Sequence, residues 1–173
     1  MSHEQPFVNY LSRLAERDRG AMAALRRGLR RPPGQEPAMY PYVIPWLHDG
    51  MYPWTRDIHF IVASLFASHP QAGGGSRGNM GAHWHTLVQV KQVPERRFVA
   101  LLRTGPDRLP TRLRENVNLL RANKVPVNWH QLYHDLIRWT HPARYIQSEW
   151  AIGFWGQSQT PNQSQSQSQG ETE

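Results

Sequence analysis

The sequence predicts an all-α protein. Apolar residues recur at intervals of three and four along five separate segments, which places them on one face of a helix. The alternation that is typical of a half-buried strand is weak and confined to residues 86–93, where we also favour helix. Stretches rich in glycine and proline divide the helical segments. We therefore expect a bundle of about eight helices.

The first half of the chain contains two of these helices. Residues 7–14 carry an apolar stripe, and Gly20 is the predicted stop of the helix. After a break rich in proline at residues 32–37, a second apolar stripe follows Pro53, in a helix of about four turns.

The second half contains three more stripes, in residues 109–120, 129–137 and 145–155. The middle one has the clearest start, because Asn128 is a favoured N-cap residue and Gln131 follows three positions later, close to a capping box. The last stripe is rich in aromatic residues.

The breaks predict how the chain is organised. We expect an N-terminal helical lobe in residues 1–68, a mobile glycine-rich loop in 69–81, and a C-terminal helical lobe in 82–156. Residues 157–173 are mostly glutamine and serine, which have little apolar surface to bury, so we expect a disordered tail.

Composition limits the classes of protein that fit. The formal net charge is +7, and eighteen of the twenty basic residues are arginine, whose planar fork binds phosphate oxygens two at a time. The absence of cysteine excludes thiolate catalysis and fits a reducing cytoplasm. No segment reads as a secretory signal or as a membrane span. The charge indicates a partner that is a polyanion.

The histidines offer one alternative, a metal-dependent nuclease. His83 and His85 lie two residues apart, and His130 and His134 lie four apart on one helical face. The helical pair lacks the adjacent glutamate of a zinc protease, because Gln131 stands there. We favour a structural or surface role for all four histidines, with no metal and no cofactor.

The other polar residues do not suggest an enzyme either. Carboxylates are scattered singly, and several stand beside arginine, so we expect local ion pairs at Asp18, Asp57 and Glu95. The glycine-rich loop lacks the lysine of a nucleotide-binding loop, and no serine lies in a nucleophile-elbow context.

The arginines cluster. Arg26, Arg27, Arg30 and Arg31 come within six positions, and residues 20–34 contain no acid. Arg30 lies four residues from Arg26, as Arg31 does from Arg27, so we expect each pair to stack like charges on adjacent helical turns, at a cost of a few tenths of a kcal/mol. A ligand with negative charge would remove that cost. We expect binding to nucleic-acid backbone rather than base-edge readout, because no helix-turn-helix or zinc finger is visible.

The order and spacing of motifs over residues 7–156 resemble the small subunit (CasB family) of the type I-E CRISPR Cascade surveillance complex. In the second half the resemblance rests on Pro94–Leu102, Leu113-Arg114, Leu119-Leu120, Pro126–Trp129, Leu132, Asp135-Leu136, Trp139, Trp150-Ala151 and Phe154-Trp155. In the first half it rests on Leu25–Arg27, Tyr40–Trp46 and the helix after Pro53.

This resemblance implies a non-catalytic protein with two helical lobes. Two copies would line the complex and contact the CRISPR RNA–target duplex and the displaced DNA strand, beside the large subunit and the backbone subunits. Arg27, Arg96 and Arg97 match basic positions of the family, and Arg56 matches approximately. The glycine-rich loop and the tail depart from the family pattern.

Charge and location add further candidates that no family motif supports. The full set of predicted nucleic-acid contacts is Arg26, Arg27, Arg30, Arg31, Arg56, Arg77, Lys91, Arg96, Arg97, Arg112 and Arg121. Tyr42 and Trp84 are candidates for stacking on displaced bases, although core packing is the stronger interpretation for both. The main alternative is a free-standing architectural protein that binds nucleic acid without sequence preference.

Overall fold

The computed structural model describes residues 5–70 and 76–159, and within them it contains nine α-helices, four short 3-10 helices and no β-strand. The prediction of an all-α protein is confirmed. The helices are α1 Pro6–Arg17, α2 Arg19–Arg27, α3 Tyr40–Val43, α4 Pro53–Ser68, α5 Met80–Val90, α6 Arg96–Leu102, α7 Leu109–Ala122, α8 Trp129–Ile137 and α9 Tyr145–Trp155. None of these helices has both the length and the apolar character needed to cross a membrane.

The junction of α1 and α2 differs from the prediction. Asp18 has an extended backbone, with φ −138°, and ends α1. Its Oδ1 accepts a hydrogen bond of 2.8 Å from the amide of Ala21, so Asp18 is also the N-cap of α2. Gly20, the predicted stop, lies inside the first turn of α2. The prediction was wrong because a side-chain cap, rather than glycine, sets this boundary.

Helix α4 is the centre of the core. Residues 58–67 are all buried, and α4 packs against α2, α7 and α8. Two polar links join it to α8: the indole of Trp54 donates to the carbonyl oxygen of Leu136 at 2.8 Å, and His59 Nε2 lies 3.0 Å from the hydroxyl of Tyr133. These contacts position the start of α4 against the second half of the chain.

Helices α5 and α9 pack closely because glycine stands at their contact. A methyl group at Gly81 would collide with the carbonyl oxygen of Trp150, and one at Gly153 would collide with the side chain of Asn79. Asn79 links both helices, since it caps the amide of Ala82 at 3.1 Å and donates to the carbonyl oxygen of Glu149 at 3.0 Å. The preference for helix within residues 86–93 is confirmed as far as Val90.

The remaining stripes are confirmed as the buried faces of α7, α8 and α9. Asn128 caps α8 as predicted, with its Oδ1 accepting from the amide of Gln131 at 3.1 Å. Asp135 is only 1 % exposed, and its Oδ2 accepts a hydrogen bond of 2.7 Å from the indole of Trp150. This bond joins α8 to α9 through a buried carboxylate.

The division into two lobes stays a prediction. Buried apolar side chains from both proposed lobes belong to one cluster. At the proposed loop, His69 is buried with its Nε2 3.0 Å from the carbonyl oxygen of Val125, and Met80 and Gly81 belong to α5. Residues 71–75 of that loop and 160–173 of the tail lie outside the described residues, and Gly156–Gln159 forms a 3-10 helix.

Candidate nucleic-acid interface

Two arginines at the start of α6 meet a third on α7. Arg96, Arg97 and Arg112 line a recess of about 230 Å³ between these helices, which we call the α6–α7 recess. All three side chains are exposed. Phe98, the next residue, is fully buried, with its ring centroid 5.4 Å from that of Trp84. The buried ring anchors α6, so the two preceding arginines stay at the surface.

The first arginine cluster continues beyond the end of α2. The α-helix ends at Arg27, Gly28–Arg30 forms a 3-10 helix, and Arg31 is extended, with φ −124° and ψ 153°. The expected stacking of Arg31 on Arg27 was therefore wrong. Pro32 explains this path, because proline disfavours the helical conformation of the residue before it. Gly28 packs closely on Met39, since a Cβ atom there would collide with the Met39 sulfur.

The members of this cluster differ in their surroundings. Arg26 donates from Nη1 to the carbonyl oxygen of Ala67 at 3.3 Å, in the last turn of α4, so part of its role is structural. Arg27 is exposed. Arg30 and Arg31 line a cavity of about 380 Å³ between the Gly28–Arg30 turn, α4 and α7, which we call the α4–α7 cavity.

Sequence reasoning did not nominate Arg114, which also lines the α4–α7 cavity. Arg114 is half-buried, and its Nη1 donates to the carbonyl oxygen of Leu29. It follows the buried Leu113 directly in α7, but Arg112 directly precedes the same residue. Position relative to the apolar stripe therefore does not separate the two arginines, and the contact of Arg114 depends on how the turn at Leu29 packs on α7.

The other nominated residues stand apart from both sites. Arg56 is exposed and borders a third recess, of about 440 Å³, beside Asp57. Arg77 precedes α5, Lys91 is the C-cap of α5, and Arg121 lies in the last turn of α7, all of them exposed. Their nomination as nucleic-acid contacts stays a prediction.

The ion pairs expected at Asp18, Asp57 and Glu95 do not form within salt-bridge distance. Asp18 caps α2, and Glu95 Oε1 accepts a hydrogen bond of 2.9 Å from the indole of Trp155. Burial raises the pKa of Asp57, and the neighbouring Arg56 only partly opposes that effect. Across residues 5–70 and 76–159, the single arginine–carboxylate ion pair is Arg112 with Glu115, at 3.1 Å. The arginine forks at the surface are therefore largely uncompensated by acids.

The histidines considered as metal ligands have protein partners. His83 is buried, and its Nε2 accepts a hydrogen bond of 2.9 Å from the amide of Asn128. His85 Nδ1 lies 3.2 Å from the carbonyl oxygen of Phe154. His130 Nδ1 accepts from the amide of Gln5 at 2.8 Å, and His134 Nδ1 lies 3.3 Å from Asp135. The contacts of His83, His85 and His130 join separate elements, whereas that of His134 lies within α8. No group of three potential metal ligands occurs among the described residues.

The two candidate stacking residues serve the core to different degrees. Trp84 is fully buried, and its indole donates to Asn116 Oδ1 at 3.0 Å, so its ring has no open face for a base. Tyr42 is half-buried. For Trp84 the interpretation as a core residue is correct.

Comparisons with known proteins agree on one family. The family model of CRISPR-associated protein Cse2 matches residues 21–155. A CRISPR-associated protein Cse2 of Thermus thermophilus is 35 % identical over 159 residues, which cover 90 % of this chain and 92 % of that protein.

Solved structures show the same fold. The crystal structure of CasB from Thermus thermophilus has a TM-score of 0.75 at 33 % identity, covering 88 % of this chain and 99 % of that one. A chain of a CRISPR RNA-guided surveillance complex has a TM-score of 0.74 at 27 % identity, covering 86 % of this chain and 88 % of that one. The resemblance to the CasB family is thereby confirmed, and the chain belongs to the Cse2 family of CRISPR-associated proteins.

Proposed function

We propose that this protein is a non-catalytic small subunit of a type I-E Cascade complex. In that complex its arginine surface binds the backbone of the CRISPR RNA–target duplex and of the displaced strand, without sequence preference, and so stabilises the R-loop. Membership of the Cse2 family and the similarity to a chain of an RNA-guided surveillance complex support assembly with other Cascade subunits and CRISPR RNA. Target DNA and a second copy of the subunit complete the proposed set of partners, in the cytoplasm.

The observation that carries the proposal is the surplus of arginine without carboxylate partners. Arg96 and Arg97 are exposed at one recess, and Arg30 and Arg31 are exposed at the α4–α7 cavity. None of these four pairs with an acid in the described part of the chain. A surface of this kind attracts phosphate and carries no sequence information, because phosphate contacts position a strand without reading bases.

The energetics of strand exchange suit such a surface. An RNA–DNA heteroduplex is about as stable as the DNA duplex that it replaces, so modest contacts to the backbone decide whether the open state persists. Each exposed charge contact contributes on the order of 0.5–1 kcal/mol. A few of them together shift the open population by tenfold or more, and the guide RNA keeps the choice of sequence.

The polar groups that would serve an enzyme already have structural roles. Asp18 caps a helix, Asp135 accepts from Trp150, and His83 accepts from the backbone. These roles support a non-catalytic subunit over a histidine-metal nuclease. The alternative function, a free-standing architectural protein, differs from a Cascade subunit in one testable property. It requires no partner subunits, whereas a Cascade subunit co-purifies with an RNA-loaded assembly.

The salt dependence of binding tests the proposal. Affinity of the purified protein for single- and double-stranded DNA is measured between about 50 and 200 mM salt, where each neutralised phosphate contributes about 0.7–0.9 to the slope of log K against log salt. We expect a steep slope and equal affinity for unrelated sequences. Replacing Arg96 and Arg97 by alanine is expected to reduce the slope by about one to two. An affinity that does not change with salt concentration, or that is much higher for one sequence than for others, would contradict the proposal.

A further inference from the structure

We propose that the α4–α7 cavity holds one nucleotide of a single-stranded nucleic acid, with its base against Phe60 and its phosphate on Arg30 and Arg31. This inference rests on the proposed function and adds to it a site for a base, which a surface that binds only phosphate lacks. The argument comes from the size of the cavity, the chemistry of its lining, the rigidity of its walls and the distribution of charge on its rim.

The cavity is large enough and has the right lining. Its volume is about 380 Å³, which falls within the usual range of small-molecule sites, about 300–1,000 Å³. Met39, Phe60, Ile61 and Leu65 also line the cavity; all four are largely buried, and Phe60 keeps the greatest exposed fraction, 7 %. Phosphate alone gains nothing from apolar lining, whereas a base has an apolar surface that packs against the part of Phe60 open to the cavity.

The walls of the cavity are fixed by hydrogen bonds before any ligand binds. On one side the hydroxyl of Tyr40 donates to the carbonyl oxygen of Gly34 at 2.8 Å, and Gly34 has φ +78°, a conformation that favours glycine. On the other side Arg114 donates to the carbonyl oxygen of Leu29. The Tyr40 ring also packs edge-on against Phe60, with centroids 6.3 Å apart. The site is therefore already ordered, and binding a ligand costs little conformational free energy.

Charge on the rim sets the orientation of the nucleotide. Arg30 and Arg31 are exposed and have no carboxylate partner among the described residues, so their forks are available to phosphate. Asp107 also lines the cavity, forms no ion pair with either arginine, and repels a phosphate. Its carboxylate accepts hydrogen bonds, which suits a sugar hydroxyl or the amino group of a base. The phosphate is thus assigned to the side of the two arginines.

The test compares strands of equal charge with and without bases. Affinity of the full-length protein is measured for a six-nucleotide single strand and for an abasic strand of the same length, as DNA and as RNA. We expect the strand with bases to bind roughly 5- to 150-fold more tightly, the range that one stacked base contributes. The comparison of DNA with RNA shows which of these two nucleic acids the site prefers.

A variant that fills the cavity tests whether the preference for bases arises at this site. Thr111 is exposed on the rim, so Thr111→Phe fills the opening without removing a core side chain. Thr111→Phe is expected to abolish the preference for bases and to keep the salt-dependent binding of the abasic strand, while the matched Thr111→Ser behaves as wild type. Thermal unfolding checks the fold of Thr111→Phe, and Thr111→Leu replaces it if the larger side chain is not tolerated.

The outcomes separate the two proposals. If wild-type protein binds abasic and normal strands equally, or if the filled variants keep the full preference for bases, the nucleotide site is wrong and the backbone-binding surface stands. If wild-type protein binds neither strand at any salt concentration, both proposals fail.

Discussion

The guanidinium of Arg114 donates a hydrogen bond to the carbonyl oxygen of Leu29, a residue 85 positions earlier in the chain. The bond ties α7 to the turn that carries Arg30, so one arginine fixes the position of another. Arg114 differs in this from Arg112, two residues before it, which forms an exposed ion pair with Glu115. The same run of sequence thus contains one structural and one surface arginine.

This difference predicts unequal costs for two similar substitutions. Arg114→Ala is expected to lower the free energy of unfolding by roughly 1–2 kcal/mol, because a partly buried hydrogen bond from a charged group is lost. Arg112→Ala is expected to cost less than about 0.5 kcal/mol, as is usual for an exposed ion pair. Urea denaturation measures both values. Equal costs would contradict the assignment of Arg114 as a tie between the two halves.

The burial of His83 predicts that the folded protein loses stability in acid. Burial lowers the pKa of His83 from 6.5 to about 4, because the buried site disfavours the charged ring. The neutral ring accepts from the Asn128 amide there. The unfolded state therefore binds more protons between these two pH values, so stability falls as the pH drops from 6.5 to about 4. At pH 4 the loss due to His83 amounts to about 3 kcal/mol.

The measurement is the free energy of unfolding against pH for wild type and for His83→Gln, which retains an acceptor but does not titrate. Burial also lowers the pKa of His59, and that residue titrates with the same sign in both proteins. The difference between the two curves therefore isolates His83. Parallel curves over this interval would show that His83 does not carry the effect.

Gly81 predicts a steric limit on the α5–α9 contact. Gly81→Ala places a methyl group against the Trp150 carbonyl and 2.9 Å from the Phe154 amide, both of them backbone atoms that cannot yield without moving α9. We expect a loss of about 3 kcal/mol or more. Gly105→Ala is the matched control, since no other side chain or backbone lies within 4 Å of the methyl group that it adds, and it should be nearly neutral. Thermal unfolding compares the two, and similar melting temperatures would contradict this packing.

The helices were predictable because their apolar stripes are local patterns. Residues 109–120 and 129–137 each bury the face that their spacing indicated, and the Asn128 cap formed where its sequence position placed it. The end of α1 was not predictable in this way. Asp18 and Gly20 are both residues that end helices, and only the geometry of the Asp18 cap decides between them.

The candidate interface was predictable only as a set of charges. That arginines near Arg96 are exposed follows from the stripe beside them, but their approach to Arg112 depends on how α6 packs on α7. That contact is non-local, so no pattern in neighbouring residues encodes it. The extended backbone of Arg31 has a local cause in Pro32, and it was missed because the charges alone were considered there.

The central claim is that this arginine surface holds the opened strands of target DNA. Arg27, Arg96 and Arg97 are exposed, so replacing all three with alanine opens no cavity and should leave the subunit folded and incorporated. Arg13, Arg17 and Arg19 are also exposed and lie outside the nominated set, so their triple alanine variant is a control with the same change of charge.

The most direct measurement is protection of the displaced strand from a nuclease specific for single strands, in assembled complexes bound to target DNA. We expect the Arg27→Ala, Arg96→Ala, Arg97→Ala variant to lose protection by on the order of tenfold or more, because three exposed phosphate contacts together contribute roughly 1.5–3 kcal/mol to a nearly balanced exchange. Wild type in high salt should show a similar loss, and the control variant should protect as wild type does. A variant complex that assembles normally and protects the displaced strand as well as wild type would contradict the account.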